Sequence, residues 1–463
     1  MSLHFAGVLA TASQLLPARS QMAFTLGFHI VLASLGVAFP AITLIANYRG
    51  LRRDDPAALG LARRWSKVMA VLFAVGAVTG TVLSFEMGLL WPGLMRRFGD
   101  VFGVAFAIEG IFFFVEAIFI AIYIYGWDRL SPWAHFWTGV PIVVSGIGGA
   151  LSVVAANSWM NQPSGFTLGA NGKVTSVHPL EVIFNKATPY EVPHMILAAY
   201  MMTAFLVASV YAVGMLRGRR DRLHRLGVLI PLAVAAIATP AQIFIGDTAA
   251  RAVARDQPTK FAAIEYVQRT GTGVPAYLGG ALVDGKVRGA IKIPDADSLL
   301  VGFSAGTKVI GLDATAPADR PPAPTMLHLA FDTMVGIAFA LLAVILWLGI
   351  AWVRRRDMPA TRWFLRAVAG AGVAAIVALE CGWIVTEVGR QPWVVYRQLR
   401  TADAVTGASG LWTSFAIVLV LYTLLGITTV LVLRAMARRW RSAERDDVAV
   451  PYGPPPGAGR AGP

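Results

Sequence analysis

Two histidines, a methionine and four carboxylates sit where side chains of their kind are costly to keep. His29, His194, Met334, Glu109 and Glu116 lie inside long apolar runs of this 463-residue chain, and Glu86 and Glu387 lie near the ends of two others. Ionisable groups at such depth usually face a cavity, a partner charge or a cofactor rather than lipid. Imidazole, thioether and carboxylate can all reach a metal from helices, and iron held in a haem is the centre that uses all three. Zinc fits less well, because no His/His or His/Glu pair stands close within one apolar run and Cys381 is the only cysteine. Glu109 and Glu116 are seven residues apart, so on a helix they share a face, about 10 Å from each other along the axis. Buried carboxyls can hold or pass a proton, which makes the pair a candidate proton path; carboxyls paired with Arg are the alternative.

The other candidates divide by position. Any one of the fourteen methionines is ordinarily core filler, and His29 taken alone is as readily a hydrogen-bonded core histidine as a ligand. His135 and His224 fall near span ends, and His4 and His178 in flanking or loop sequence, which predicts surface histidines. His328, at the start of an apolar run, competes as a ligand.

The elements that must position these groups follow from composition. With 56% hydrophobic and 14% charged residues, the chain reads as an all-α polytopic membrane protein. Nine runs are long enough to cross a bilayer, near 22–47, 67–90, 103–125, 135–157, 194–216, 226–246, 327–353, 363–386 and 411–436. The first residues lack the basic region and cleavage site of a signal peptide, so the first span is expected to stay in the mature protein. The net charge of +14 is not a nucleic-acid footprint, because its arginines cluster in alternate connections, around 49–64, 217–225, 354–366 and 434–441. The positive-inside rule then places the N-terminus outside and the C-terminus in the cytoplasm. On this reading 1–246 carries six spans, 247–326 is a long extracytoplasmic loop, 327–441 carries three spans, and 442–463 is a flexible cytoplasmic tail rich in Pro and Gly. That topology brings His29, His194, Met334, Glu86, Glu109, Glu116 and Glu387 to the outer half of the bundle.

The run Trp383-Ile-Val-Thr-Glu387-Val-Gly-Arg390-Gln-Pro-Trp393 closes the eighth span with a carboxylate, a guanidinium and two indoles. Taken together with Phe28-His29-Ile30, Ala107-Ile-Glu109-Gly110, Gly126-Trp-Asp-Arg129, Asn157-Ser-Trp-Met160 and Lys260-Phe-Ala-Ala-Ile-Glu265, it resembles subunit I of the cytochrome bd quinol oxidases, from about Gln21 to Arg439. The modest insertion after Glu265 matches the short quinol-loop form.

The resemblance implies a terminal oxidase subunit that oxidises quinol at the outer face and reduces dioxygen to water with cytoplasmic protons, charging the membrane without a pump. It implies a bacterial inner-membrane location, a subunit II, one further small single-helix subunit, and surrounding lipid. His194 and Met334 match the axial ligands of a low-spin haem b of the b558 type. His29 and Glu387 match ligands of two high-spin haems, one b of the b595 type and one d, or b in place of d; which residue holds which is left open. Glu109 and Glu116 match carboxylates at the oxygen-reducing site and its proton supply, Trp383 and Arg390 residues packed around the haems, and Lys260 and Glu265 quinol-loop residues. Two departures stand out. Asp332 replaces an arginine of some members, and Gly149 replaces a serine on the proton path, which directs that path to Ser152 or water. The rival readings are a bd-like cytochrome that transfers electrons without reducing oxygen, and an ion-coupled transporter.

Overall fold

The computed structural model describes residues 2–443 except Asn171, together with Tyr452, and side chains from Gln14 to Arg441 (again without Asn171) and of Tyr452. The readings made for His4 and for most of the 442–463 tail lie outside the described residues.

Among the described residues nine helices are long and apolar enough to cross a membrane: Gln14–Arg53, Pro56–Leu90, Pro92–Gly126, Pro132–Asn161, Thr188–Leu216, Arg222–Asp256, Pro324–Arg355, Arg362–Arg390 and Leu411–Arg441. Each of the nine apolar runs falls on one of them. The helices extend beyond the runs because polar residues end an apolar stretch without ending a helix, and the true starts carry capping signals. Asp55 accepts from the Ala58 N–H ahead of Pro56, Asp221 caps the sixth span through the His224 N–H, and Thr361 caps the eighth through that of Phe364. The sixth span therefore runs to Asp256, and the long connection is 257–323 rather than 247–326.

The most extensive packing joins the fifth span to the sixth, the first to the second, the third to the fourth, and the eighth to the fifth and seventh. The ninth touches chiefly the first and leaves Ile417, Val420, Leu424 and Leu431 exposed, as a lipid-facing helix would. One apolar centre near the arginine-rich end gathers Phe39, Trp65, Phe205 and Phe364. A second, at the loop end, is built on Phe98 and Phe102, one turn apart on the third span, which meet the Trp159 ring edge-on at centroid distances of 5.3 and 5.6 Å. Aromatic pairs in this geometry contribute about 0.5–1.5 kcal/mol beyond area burial.

Two loops cover that end. One carries the antiparallel strands Phe166–Leu168 and Val174–Val177 and the short helix Pro179–Ile183. The other opens with the helix Pro258–Ile264, pairs Ala276–Leu278 with Ile291–Ile293 and Ala281–Val283 with Lys286–Arg288, and adds the helix Ala296–Gly302.

Two histidine expectations are corrected. His135 is fully buried between the rings of Tyr123 and Trp127, each at 4.3 Å, with Nε2 donating to the Tyr123 carbonyl at 2.7 Å and Nδ1 2.5 Å from the Tyr452 hydroxyl. His224 is 6% exposed, bonded through Nδ1 to Asp221 at 2.7 Å and packed into a notch at Gly214. Both stand at span ends, but the neighbouring span overhangs each one, which position along the chain does not reveal.

Candidate functional site

A cavity of about 530 Å3 opens between the first, second, third, fourth, fifth and eighth spans. His29, Glu109, Glu116, Trp383, Glu387 and Arg390 all line it, and its size falls in the usual range of about 300–1,000 Å3 for ligand pockets.

His29 is oriented from behind. Its Nδ1 lies 2.9 Å from the Thr79 hydroxyl, which is also within hydrogen-bond reach of its own helix's Val75 and Gly76 carbonyls. With that proton committed to the helix, Thr79 accepts from Nδ1–H, and the Nε2 lone pair is left free to bind a metal. Gly80 permits the approach, since a Cβ there would stand 3.0 Å from His29 Cε1. Outer contacts of this type typically change metal affinity or activity 10–100-fold when lost. Thr79→Val is accordingly expected to lower high-spin haem content by at least about tenfold at fixed haem supply, read as haem per purified chain; full occupancy would contradict the assignment.

Across the cavity the Glu387 carboxylate is held at both oxygens. Oε1 accepts from Asn157 Nδ2 at 2.7 Å and Oε2 from Arg390 Nη2 at 2.6 Å. Arg390 is 3% exposed, and its Nε and Nη1 have no partner. Buried guanidinium donors left open are costly, and a planar fork of this kind suits a carboxylate such as a haem propionate. Arg19 also reaches the cavity wall, a cation that apolar periodicity gave no reason to select. The residues therefore fit a haem: a free imidazole nitrogen, an oriented carboxylate, unsatisfied guanidinium donors and room between them.

Glu109 and Glu116 continue along their shared face to Tyr123, seven residues further, whose buried hydroxyl has no partner and whose ring stacks on His135. That face runs from the cavity toward the arginine-rich end. Gly149 also lines the cavity, whereas Ser152 donates to its own helix at the Gly148 carbonyl, 2.9 Å away, and is not part of the wall. A proton path through Ser152 is thus not supported by the geometry. Glu86 is caged instead by Gln21 Nε2 at 2.8 Å and the Thr25 hydroxyl at 2.5 Å.

His194 and Met334 stand apart from this cavity, at two glycine notches. A Cβ at Gly246 would lie 3.4 Å from His194 Cε1, and one at Gly382 would lie 3.1 Å from Met334 Sδ. Neither His194 nitrogen has a dedicated hydrogen bond, since Gln242 Nε2 is 3.3 Å from both. His328 does not compete. Its Nδ1 is 2.6 Å from the Ile264 carbonyl, its Nε2 lies between the Gly279 carbonyl at 3.1 Å and Asp332 at 3.2 Å, and Tyr266 stacks on the ring at 3.9 Å. Asp332 also accepts from the Gly279 N–H at 2.5 Å, so it ties the loop to the seventh span.

Lys260 and Glu265 are both buried, at 5% and 4% exposure, but they face different neighbours. Five residues on a helix are about 140° apart. Lys260 packs on Gly389 and lies in the field of Glu191, Arg390 and Glu387, and burial pushes its ammonium down to about 8. Glu265 faces Asp297 and Asp332. Sequence alone also missed Thr79, and marked Asn157 only within a family-like run without its partner, because a neutral polar residue in an apolar run carries no signal of what it will touch.

Residues 17–440 match the family model described as cytochrome bd terminal oxidase subunit I. The chain belongs to that family. It is 36% identical over 424 residues to the putative cytochrome bd menaquinol oxidase subunit I of Bacillus subtilis, covering 90% of this chain and 95% of the relative. A second Bacillus subtilis protein, cytochrome bd ubiquinol oxidase subunit 1, is 30% identical over 460 residues, with 96% and 97% covered. The solved structure of bd oxidase from Geobacillus thermodenitrificans superposes with a TM-score of 0.86 at 34% identity, over 92% of this chain and 98% of that one. This bd oxidase subunit is therefore a membrane component of a quinol-oxidising enzyme, and family membership implies haem cofactors.

Proposed function

We propose that this subunit oxidises quinol beside the 257–323 loop, passes electrons by way of His194 and Met334 to the cavity of His29 and Glu387, and there reduces dioxygen to water. The observation that carries this reading is the cavity itself, which gathers six of the expected site residues from three spans around unsatisfied guanidinium donors. When bound, the haems supply one-electron transfer and oxygen reduction; a low-spin b, a high-spin b, and a d or second b are the complement the family pattern suggests.

The chain's own residues then divide the work. His194 and Met334 would hold the low-spin group and His29 and Glu387 the high-spin groups, while Arg390 steadies Glu387 and would meet a carboxylate of a bound haem, and Trp383 closes the cavity wall. Glu109, Glu116 and Tyr123 offer a line of protonatable groups to the arginine-rich end. The positive-inside rule makes that end cytoplasmic, so chemical protons enter from the cytoplasm while quinol protons leave at the opposite face. Turnover would then charge the membrane of a bacterial cell without pumping. Glu265 accepts the quinol hydroxyl proton, and Lys260 links the loop helix to the Glu191, Glu387 and Arg390 charges. Subunit II, and a small single-helix subunit, are the expected partners in lipid.

Glu265→Gln and Lys260→Met test the loop assignment. Loss of a positioned acid or base typically costs 10²–10⁴-fold, so quinol-driven oxygen uptake should fall at least about a hundredfold in Glu265→Gln, and to a lesser degree in Lys260→Met. Uptake driven by a small artificial one-electron donor should persist in both. Quinol-driven rates equal to the parent in both variants would overturn the assignment.

A further inference from the structure

The 257–323 loop holds a second buried acid that the proposed function leaves unused. Asp297, in the helix Ala296–Gly302, is 0% exposed, and neither carboxyl oxygen has a hydrogen-bond partner. Its backbone is firmly placed, with the Asp297 N–H donating to the Val274 carbonyl at 3.1 Å while the neighbouring Ser298 hydroxyl accepts from the Val274 N–H at 2.9 Å. The opposite face of the same short helix is open, with Leu299 46% and Phe303 77% exposed. One helix thickness thus separates this carboxyl from the outside.

A buried carboxylate with both oxygens bare is costly unless it holds a proton or a cation. No group of three or more His, Cys, Asp or Glu side chains suited to a metal occurs among the described residues. A second acid, Glu265, lies within electrostatic range of it. Burial, and then the charges of Asp297 and Asp332, hold Glu265 well above the usual carboxylate range, while burial alone pushes Asp297 up to about 8. Two like acids in one dry site cannot both ionise cheaply, so they titrate as a pair and keep at least one proton between them through neutral pH. The other charged or titratable groups around them are Asp332 and His328 on the seventh span, and the Arg251–Asp247 ion pair on the sixth, where Arg251 also bonds the Leu300 carbonyl.

We propose that Asp297 is the proton partner of Glu265, taking from it each proton released by quinol and delivering it to the outer face. This rests on the reading of Glu265 as the quinol proton acceptor. In each of two successive steps a quinol O–H bond breaks, the proton goes to the Glu265 carboxylate, and the electron goes to the oxidase's own haem chain, whose final acceptor is dioxygen. The carboxylate of Asp297 then takes the proton from Glu265 and releases it to water, so that the pair returns to its starting charge and two protons and two electrons leave each quinol. Asp297 acts through Glu265 and is a positioning residue.

The test is Asp297→Asn in the complete oxidase, assayed from pH 5 to 9 with a short-chain quinol and, in parallel, with a small one-electron donor. The expected result is a kcat for quinol lowered roughly tenfold or more, with KM and donor-driven uptake close to the parent. The pH profile should change in a definite direction. Removing the Asp297 charge lowers the pKa of Glu265, so the acid limb moves to lower pH and the two ionisations of the parent profile become one. Asp297→Glu should restore both. A quinol profile of Asp297→Asn superimposable on the parent, while Glu265→Gln is impaired, overturns this inference alone; unimpaired Glu265→Gln overturns the underlying reading. Should Asp297→Asn not assemble, infrared titration of the parent against Glu265→Gln decides. A buried carboxyl signal that titrates near pH 8 and persists when Glu265 is replaced, while a second one present in the parent is lost, supports the pair, and the absence of such signals refutes it.

Discussion

Met334→Leu is expected to abolish the low-spin haem signature and lower quinol-driven oxygen uptake by about a hundredfold or more, with high-spin signals retained. Losing contacts one shell away from a metal already costs 10–100-fold, and loss of the ligand itself should cost at least the upper end of that range. The substitution separates ligation from packing. Leucine nearly matches methionine in volume, and such swaps usually cost less than about 1.5 kcal/mol. Met334 is only partly buried and lies against the notch at Gly382, so leucine can occupy the same space while removing the thioether. The check is a reduced-minus-oxidised spectrum of the purified variant beside its parent. An unchanged low-spin band would refute the ligand assignment, and loss of every haem band would mean that Met334 acts on folding rather than on one centre.

The second large effect is expected at Arg390. Arg390→Leu removes the 2.6 Å partner of Glu387 and the two unpaired donors in the cavity together. Breaking a buried ion pair on one side typically costs about 3–5 kcal/mol because the remaining charge is stranded. The Glu387 side chain is 30% exposed and keeps its bond from Asn157, which places the cost at the low end of that range. Arg390→Lys should recover part of the stability, since a point charge still reaches Glu387, but not the fork that meets a second carboxylate. The measurements are thermal stability and high-spin haem per chain. The expected order is parent, then Lys, then Leu for both. A lysine variant equal to the parent in both would show that the bare Nε and Nη1 have no partner in the loaded protein.

These variants also mark what could be read from the chain. The nine spans were legible because bilayer thickness imposes a length on every apolar run, and the helices overran those runs where Asp55, Asp221 and Thr361 supplied caps beyond them. His29, Glu109, Glu116 and Glu387 could be placed together because expensive groups at one depth have few places to face, whereas Trp383 and Arg390 were added by the resemblance. Their partners were not legible. Thr79 and Asn157 are ordinary helix residues until a neighbouring span brings His29 or Glu387 within hydrogen-bond reach. The burial of His135 and His224 depends on which ring or loop overhangs a helix end, a tertiary fact with no local signal. Lys260 and Glu265 were grouped by the resemblance, but the local geometry turns them toward different charges.

We assign two separate ligand sets, His194/Met334 and His29/Glu387, to different haem centres in one subunit. Haem stoichiometry with spin-state analysis of the purified oxidase tests this assignment most directly, by a pyridine haemochrome count on a protein-quantified sample combined with its electron paramagnetic resonance spectrum. Three haems per copy of this subunit are expected, one low-spin and two high-spin, with His29→Ala depleting only high-spin signal and His194→Ala only the low-spin one. A single low-spin haem per chain, or loss of the same signal in both variants, would contradict the assignment.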